Sequence, residues 1–198
     1  MNEEKRRTLR NSLRQARRNL NLDQQKSAAR GVHDLVTDQD FFTNASHIVF
    51  YQSIDGEIDP KLLLNTALAE RKSCYLPTLA KDYPYQMSFA PLDSETLLIE
   101  NKWGIGEPPS PEKEVTPASL DVVFVPLVGF DESCFRLGMG KGFYDRAFSF
   151  KIINRRSPPL LVGLAHECQL TEPLPTTKWD VRLDAVITAE KIYRPDTA

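Results

Sequence analysis

Hydrophobic positions along the chain switch between a helical period and a strand period. Leu9, Leu13, Ala16 and Leu20 recur at steps of 4, 3 and 4. This spacing predicts a helix over residues 3–20 with a single apolar stripe. Arg6, Arg10, Arg14 and Arg17 keep similar steps. At about 100° per residue they form a basic stripe directly beside the apolar one. If the apolar stripe docks on the body of the protein, the arginines lie at the edge of the contact, where they can face a groove. A second helix is expected from about Asp23 to Val36, with Asp23 as its N-cap.

Strand-like segments follow. His47–Tyr51 reads as a strand, and Asp59-Pro60 as an N-cap and N1 proline opening a helix through about Arg71. Ser73–Pro77 and Gln86–Ala90 read as short strands, and the Pro- and Gly-rich stretch Trp103–Pro117 as loop. Asp121–Val125 is an apolar, β-branched run of the kind buried on both faces of a sheet. Leu160–Ala165 and Asp184–Thr188 complete the set. Strands separated by helices predict an α/β fold: a mainly parallel sheet flanked by helices on both faces, in an open Rossmann-like three-layer architecture. With 198 residues and no internal repeat, the chain is expected to form one domain over 1–198. In such sheets ligands bind outside the carboxyl ends of the strands. The loops after Tyr51, Val125 and Ala165 are therefore the places to look for chemistry.

Composition narrows the picture without changing it. Hydrophobic residues make up 41% and charged residues 26%, an ordinary globular profile. A chain of this length buries roughly 70% of its unfolded surface and needs no staples. The net charge of −2 gives no global field for nucleic acid. Residues 1–18 are polar and basic, and the longest apolar runs, such as Leu62–Leu64 and Leu160–Val162, are short. The expectation is a cytoplasmic protein with no secretion signal and no membrane span. Cys74, Cys134 and Cys168 are odd in number and far apart, which reads as reduced, packed or incidental thiols. His33, His47 and His166 read as surface, strand and sheet-end residues without a catalytic role.

The segment with chemical content is Arg136-Leu-Gly-Met-Gly-Lys-Gly-Phe-Tyr-Asp145. Gly138, Gly140 and Gly142 permit positive φ and leave no Cβ in the way. Successive N–H groups can then turn inward around an anion, and a helix starting near Phe143 adds partial positive charge. Lys141 and Arg136 supply full charges. The spacing is neither GxxxxGK[ST], since Phe143 stands where a metal-ligating hydroxyl is needed, nor GxGxxG. On these grounds alone the loop is a phosphate cradle or a glycine-rich turn with two incidental cations.

The longer string Pro126-Leu-Val-Gly-Phe-Asp131 followed by Arg136–Asp145 closely resembles the signature of the 5-formyltetrahydrofolate cyclo-ligase family. The likeness takes in the basic N-terminal helix, the segment Phe50-Tyr-Gln-Ser-Ile-Asp-Gly-Glu57, the Trp103-Gly-Ile loop and Trp179-Asp-Val-Arg-Leu-Asp184. It implies an enzyme that converts 5-formyltetrahydrofolate and ATP to 5,10-methenyltetrahydrofolate, ADP and phosphate, with Mg²⁺ as the metal. The formyl oxygen attacks the γ-phosphorus, N10 closes on the activated carbon, and phosphate leaves.

By position, the resemblance puts ATP on Arg6, Arg10, Arg136, Leu137, Gly138, Met139, Gly140, Lys141, Gly142, Phe143 and Tyr144. Lys141 and Arg136 act in the transfer. The family often carries Lys where Arg6 stands, so Lys5 or Arg6 reaches the phosphates. Asp145 and Asp180 correspond to metal-associated aspartates, and a hard cation on a nucleotide takes one or two carboxylates plus phosphate oxygens and water. Glu57 corresponds to a folate-binding glutamate, whose carboxylate can accept paired hydrogen bonds from a pterin, and Gln52 to a second contact. Tyr51 and Trp103 are candidates for packing on the flat rings, or for plain core and loop packing. Met139 to Phe143 falls where the family's loop also touches folate. The expected partners are folate and ATP, with no nucleic acid or membrane, and the chain is expected to be a monomer. Two other readings remain open: a non-catalytic folate or nucleotide sensor, and an RNA-associated protein using the basic helix, which would bind with steep salt dependence.

Overall fold

The computed structural model describes residues 3–79, 86–101, 104–108 and 115–195. In chain order the elements are α1 (Glu3–Arg18), α2 (Leu22–Thr37), α3 (Asp40–Thr43), β1 (His47–Val49), α4 (Lys61–Ala69), β2 (Ser73–Leu79), β3 (Met87–Leu92), β4 (Ile99–Glu100), β5 (Gly106–Glu107), β6 (Val122–Pro126), β7 (Gly129–Phe130), β8 (Arg136–Leu137), α5 (Phe143–Ala147), β9 (Leu160–Leu164), β10 (Ala185–Ile187) and β11 (Ile192–Tyr193).

Seven strands form one sheet in the order β11-β10-β9-β6-β1-β2-β3. The five central strands pair in parallel, as the separation of strands by long segments demands. The two edges are antiparallel: β3 on β2 and β11 on β10. From β1 the chain first builds outward through β2 and β3, then returns to the other side of β1 with β6. The strand order therefore reverses between β1 and β6, and this gap is the topological switch point where α/β sheets open a crevice.

Residues of β6 alternate between two apolar layers. Val122 and Phe124 face one layer, where they meet Val32 and Val36 of α2, Phe42 of α3 and Leu63 of α4. Val123 and Val125 face the other, against Phe130, Phe148, Val181 and Leu183. Three helices cover the first face. The second is covered by the single turn α5, the 3-10 turn Ser149–Ile152 and irregular chain. Helix α1 belongs to neither layer. Its Leu13, flanked by Leu9, docks on Val128, Leu137 and Leu174 at the carboxyl end of the sheet. Among the described residues no helix is long and apolar enough to cross a membrane.

Most sequence-based boundaries shift by a residue or two, and three of the differences are informative. Helix α2 starts at Leu22, capped by Asn21 rather than Asp23. The Asn21 side chain accepts from the Gln24 N–H at 2.9 Å, and the Gln24 side chain accepts from the Asn21 N–H at 2.9 Å, a reciprocal capping box. Helix α4 is assigned from Lys61 to Ala69, one residue later at its start than expected, while Asp59 accepts from the Lys61 N–H at 3.0 Å as an N-cap side chain does. Part of the expected loop after Trp103 pairs as a small antiparallel ribbon, β5 on β4.

Phe124 is fully buried between Phe42 and Phe50, with ring centroids 6.4 and 5.3 Å away. Phe124→Ala is expected to cost about 3–5 kcal/mol. The check is urea denaturation, with a lower midpoint and an unchanged slope.

Candidate functional site

A cavity of about 640 Å³ opens at the carboxyl ends of β1 and β6, at the switch point. Tyr51 and Gln52 enter it directly after β1, and Pro126 and Leu127 at the end of β6. Arg6 and Arg10 of α1 form one wall and the glycine loop Gly138–Gly142 another. The loop after Ala165, the third expected position, does not line the cavity. It supports the site from behind. His166 is buried, its Nε2 lies 3.1 Å from the Gly56 carbonyl, and burial lowers its pKa below the ordinary histidine value.

The glycine loop is presented by a hairpin the sequence did not disclose, β7 paired antiparallel with β8. Buried Asp131 fixes the hairpin turn by accepting from the Phe135 N–H at 3.0 Å and the Leu174 N–H at 2.8 Å. Past β8, Gly140 and Gly142 take φ of +91° and +65°, the left-handed region that glycine adopts at no steric cost. A Cβ on Gly138 would lie 2.9 Å from Arg136 Nη1. Helix α5 follows, but with five residues it carries only a small fraction of a long helix's dipole.

The cations divide into two groups. Arg136 Nη2 lies 2.9 Å from Asp145 Oδ2 but out of line for a hydrogen bond, and it is buried without a hydrogen-bond acceptor. Among the described residues Arg6 Nε is likewise buried with no hydrogen-bond partner, while Arg6 Nη2 stands 3.7 Å from Asp180 Oδ2. An unsatisfied buried donor is unfavourable by about 1–3 kcal/mol, more when charged. Both residues border the same cavity and give that wall positive charge. Of the neighbouring pair, Arg6 rather than Lys5 lines this cavity. Arg10 joins helix to loop: its Nε donates to the Gly138 carbonyl at 3.0 Å and its Nη1 to Glu3 at 3.0 Å. Lys141 is exposed at the rim and, among the described residues, makes no ion pair.

Asp145 and Asp180 both border the cavity. Asp145 Oδ1 accepts from the Val181 N–H at 3.2 Å, which brings the two acidic segments together, and Asp180 Oδ2 accepts from the Thr177 N–H at 2.6 Å. Among the described residues no group of three or more metal-ligating side chains exists. Asp145 and Asp180 each face a guanidinium, at 2.9 and 3.7 Å, and fit a cation such as Mg²⁺ only if a bound anion and water supply the remaining oxygens.

The opposite wall holds Glu57. Residues Ile54–Glu57 form a tight turn closed by Glu57 N–H to Ile54 C=O at 3.0 Å, with positive φ at Asp55 (55°) and Gly56 (76°), as an Asp-Gly turn of the primed class requires. The Glu57 carboxylate accepts from the Ile54 N–H at 3.2 Å and lies 3.4 Å from Arg17 Nη2. Burial pushes its pKa from the ordinary 4.5 to about 7, against the opposing pull of Arg17 and the Ile54 N–H. Tyr51 is buried in the cavity wall and its hydroxyl donates to the Ile58 carbonyl at 2.7 Å, so its ring is what remains for a ligand. Burial holds the Tyr51 and Tyr144 phenols above their ordinary pKa, hence neutral. Leu137, Met139, Phe143, Tyr144 and Gln52 all border the cavity. Trp103 lies outside the described residues. Arg17 and Asp55, whose contacts shape this wall, entered the sequence reading only as members of the basic stripe and of the segment Phe50–Glu57; the signals for a role at this wall were Arg17 sharing a helix face with Arg6 and Arg10, and Asp55 standing two residues before Glu57.

Comparison with known proteins gives the family and the fold. The family model described as 5-formyltetrahydrofolate cyclo-ligase family matches residues 2–189. The 5-formyltetrahydrofolate cyclo-ligase of Haemophilus influenzae is 39% identical over 184 residues, covering 92% of this chain and 97% of the relative. That of Escherichia coli is 36% identical over 182 residues, covering 91% and 98%. Among solved structures, the 5,10-methenyltetrahydrofolate synthetase of Aquifex aeolicus superposes with a TM-score of 0.82 at 28% identity, covering 98% of this chain and 94% of that one.

The raised pKa of Glu57 sets a sign for stability. The folded state holds this proton more tightly than the unfolded chain, so stability falls as pH rises from about 4.5 through about 7. Glu57→Gln removes that dependence. Denaturation at pH 5 and pH 8 is expected to show the variant gaining on the parent at the higher pH by up to about 3 kcal/mol; other groups, His166 included, cancel in the difference.

Proposed function

The chain belongs to the 5-formyltetrahydrofolate cyclo-ligase family, and we propose that it catalyses ATP-dependent closure of 5-formyltetrahydrofolate to 5,10-methenyltetrahydrofolate, releasing ADP and phosphate. The observation that carries this reading is one cavity with two chemically distinct walls. One wall has the guanidinium groups of Arg6, Arg10 and Arg136 and a glycine loop. The other has a buried carboxylate beside an aromatic ring. A triphosphate suits the first and a pterin the second.

An N-formyl amide is a poor electrophile with a poor leaving oxygen, so the oxygen must first be turned into a phosphate ester. The chain's task is then alignment and charge neutralisation rather than covalent chemistry. In this reading Arg6 and Arg10 grip the triphosphate from the helix, four residues apart on one face. The loop residues Leu137–Tyr144 wrap the phosphates, with Arg136 and Lys141 balancing charge on the transferred phosphoryl oxygens. Glu57 accepts the pterin's paired N–H groups, Gln52 adds a polar contact, and Tyr51 packs on a ring. Met139–Phe143 lies between the two ligands. Asp145 and Asp180 would hold Mg²⁺, which when bound neutralises phosphate charge and helps orient the nucleotide. A monomer working in the cytoplasm completes the reading.

The test of the activity is incubation with 5-formyltetrahydrofolate and Mg-ATP, following the absorbance of the methenyl product. Product that requires ATP is expected; ligand binding without turnover would make the protein a sensor instead. Lys141→Ala is expected to lower turnover by about 100-fold or more while folate binding, measured by equilibrium titration, survives. Near-normal turnover in that variant removes Lys141 from the transfer.

A further inference from the structure

Helix α1 touches both walls of the cavity. Arg6 and Arg10 reach the glycine-loop side. Seven residues beyond Arg10, two full turns along the same face, Arg17 reaches the other wall and is completely buried. Its Nε donates to the Asp55 carbonyl at 2.8 Å and Nη1 to the Leu127 carbonyl at 2.9 Å. Its Nη2 donates to Asp55 Oδ2 at 3.0 Å and lies 3.4 Å from Glu57 Oε1. Asp55 also accepts from Arg14 at 2.7 Å and from Arg18. One guanidinium thus meets the helix, the turn that carries Glu57, and the end of β6.

We propose that Arg17, together with Asp55, is a positioning residue for the folate half of the reaction, orienting and charge-balancing the Glu57 carboxylate and locking the pterin contact in register with the triphosphate contacts on α1. The groups facing Glu57 make this a two-handed balance. Arg17 is the cation facing it from α1. Asp55 is the anion beside it on the turn, with Arg14 and Arg18 acting on it through Asp55. Tyr51 after β1 and Tyr144 on α5 are neutral, and His166 meets the turn only at the Gly56 backbone. Burial, the largest influence, raises the Asp55 pKa, but bonds from Arg14, Arg18 and Arg17 more than offset it, so Asp55 stays ionised. Arg17 therefore favours the Glu57 carboxylate and Asp55 opposes it.

The inference rests on the reading of Glu57 as the pterin contact, and the experiment separates the two. The readout is kcat/KM for 5-formyltetrahydrofolate against pH, which reports ionisation in the free enzyme, with kcat/KM for ATP measured alongside. In the parent the folate profile rises with pH as Glu57 ionises, and Glu57→Gln flattens it. A profile that survives Glu57→Gln refutes the reading of Glu57 itself. Given a flattened profile there, Arg17→Met is expected to move the parent's midpoint upward by about one unit or more, and Asp55→Asn to move it downward, each with a larger change in KM for folate than in KM for ATP. A fall in melting temperature with both midpoints unmoved overturns the inference. Should Arg17→Met fail to fold, Asp55→Asn decides by the direction of its shift: downward supports the inference, unmoved or upward overturns it.

Discussion

A fully buried guanidinium sets the terms for the active end of this molecule. Arg17 sits where helix, turn and strand end converge, and no water reaches it. A charge in that position is tolerable only when its donors find acceptors and its charge finds an opposite. The chain answers with two backbone carbonyls and two carboxylates. Each answer constrains geometry. The Asp55 carbonyl is available because Asp55 and Gly56 both take positive φ. A Cβ on Gly56 would stand 3.3 Å from the Arg17 carbonyl oxygen, so this close approach of turn to helix also calls for glycine. The Leu127 carbonyl is shared with Gln169, which donates to it at 2.7 Å, and Gln169 also accepts from the His166 N–H at 2.9 Å. The network thus closes through His166 back onto Gly56.

This arrangement explains how a helix outside the sheet's layers contributes to the site. Parallel strands direct their carboxyl ends to one edge, and the reversal between β1 and β6 leaves a gap there. The sheet alone supplies a floor with two loops. Two ligands that must react need a third wall, and α1 provides it, anchored by Leu13 on an apolar patch and by Arg17 on the turn. The apolar contact gives most of the docking energy but little rotational register, since an apolar stripe can roll by tens of degrees. The multidentate arginine removes that freedom. Arg6 and Arg10 inherit their aim from it, because a helix is stiff over eleven residues.

Sequence carried the architecture further than the local detail. The strand readings at His47–Tyr51 and at the continuous apolar run Asp121–Val125 fell on the buried central strands β1 and β6, and the helices between strands predicted parallel pairing. The antiparallel edges and the β7–β8 hairpin were hidden, because two-residue strands have no period to detect and Asp131 acts by capping, which composition does not distinguish from a surface charge. The α2 boundary moved because Asn21-Leu-Asp-Gln24 contains two possible caps, and only the reciprocal bonds to Gln24 decide between them. At the site, the glycine loop and Glu57 were legible through their motif. The division of the arginine stripe was not. Periodicity places Arg6, Arg10, Arg14 and Arg17 on one face, yet two address a cavity and two address Asp55. That difference depends on what the rest of the chain brings opposite each turn of the helix.

The two arginine groups also obey opposite rules, which is informative about function. Around Arg17 the donors are met by acceptors, and the position reads as structure. Around Arg6 and Arg136 buried donor atoms are left without acceptors. A fold under selection for stability alone would satisfy or replace them, because each unpaired donor subtracts from a total of only about 5–15 kcal/mol. Local rules fail most informatively at functional positions. Among the described residues the buried side-chain atoms without a hydrogen-bond partner are Arg6 Nε, Arg136 Nη2 and Glu167 Oε2, so two of the three belong to the wall with the glycine loop and the two aspartates. The imbalance at the opposite wall is of another kind: burial lifts the Glu57 carboxyl to about 7 although Arg17 pulls it down. In the proposed reading the first wall offers donors to a polyanion and the second a carboxylate to a ring's paired N–H groups, and it is this pairing of walls, rather than any one residue, that would suit the cavity to moving a phosphoryl group onto an amide oxygen.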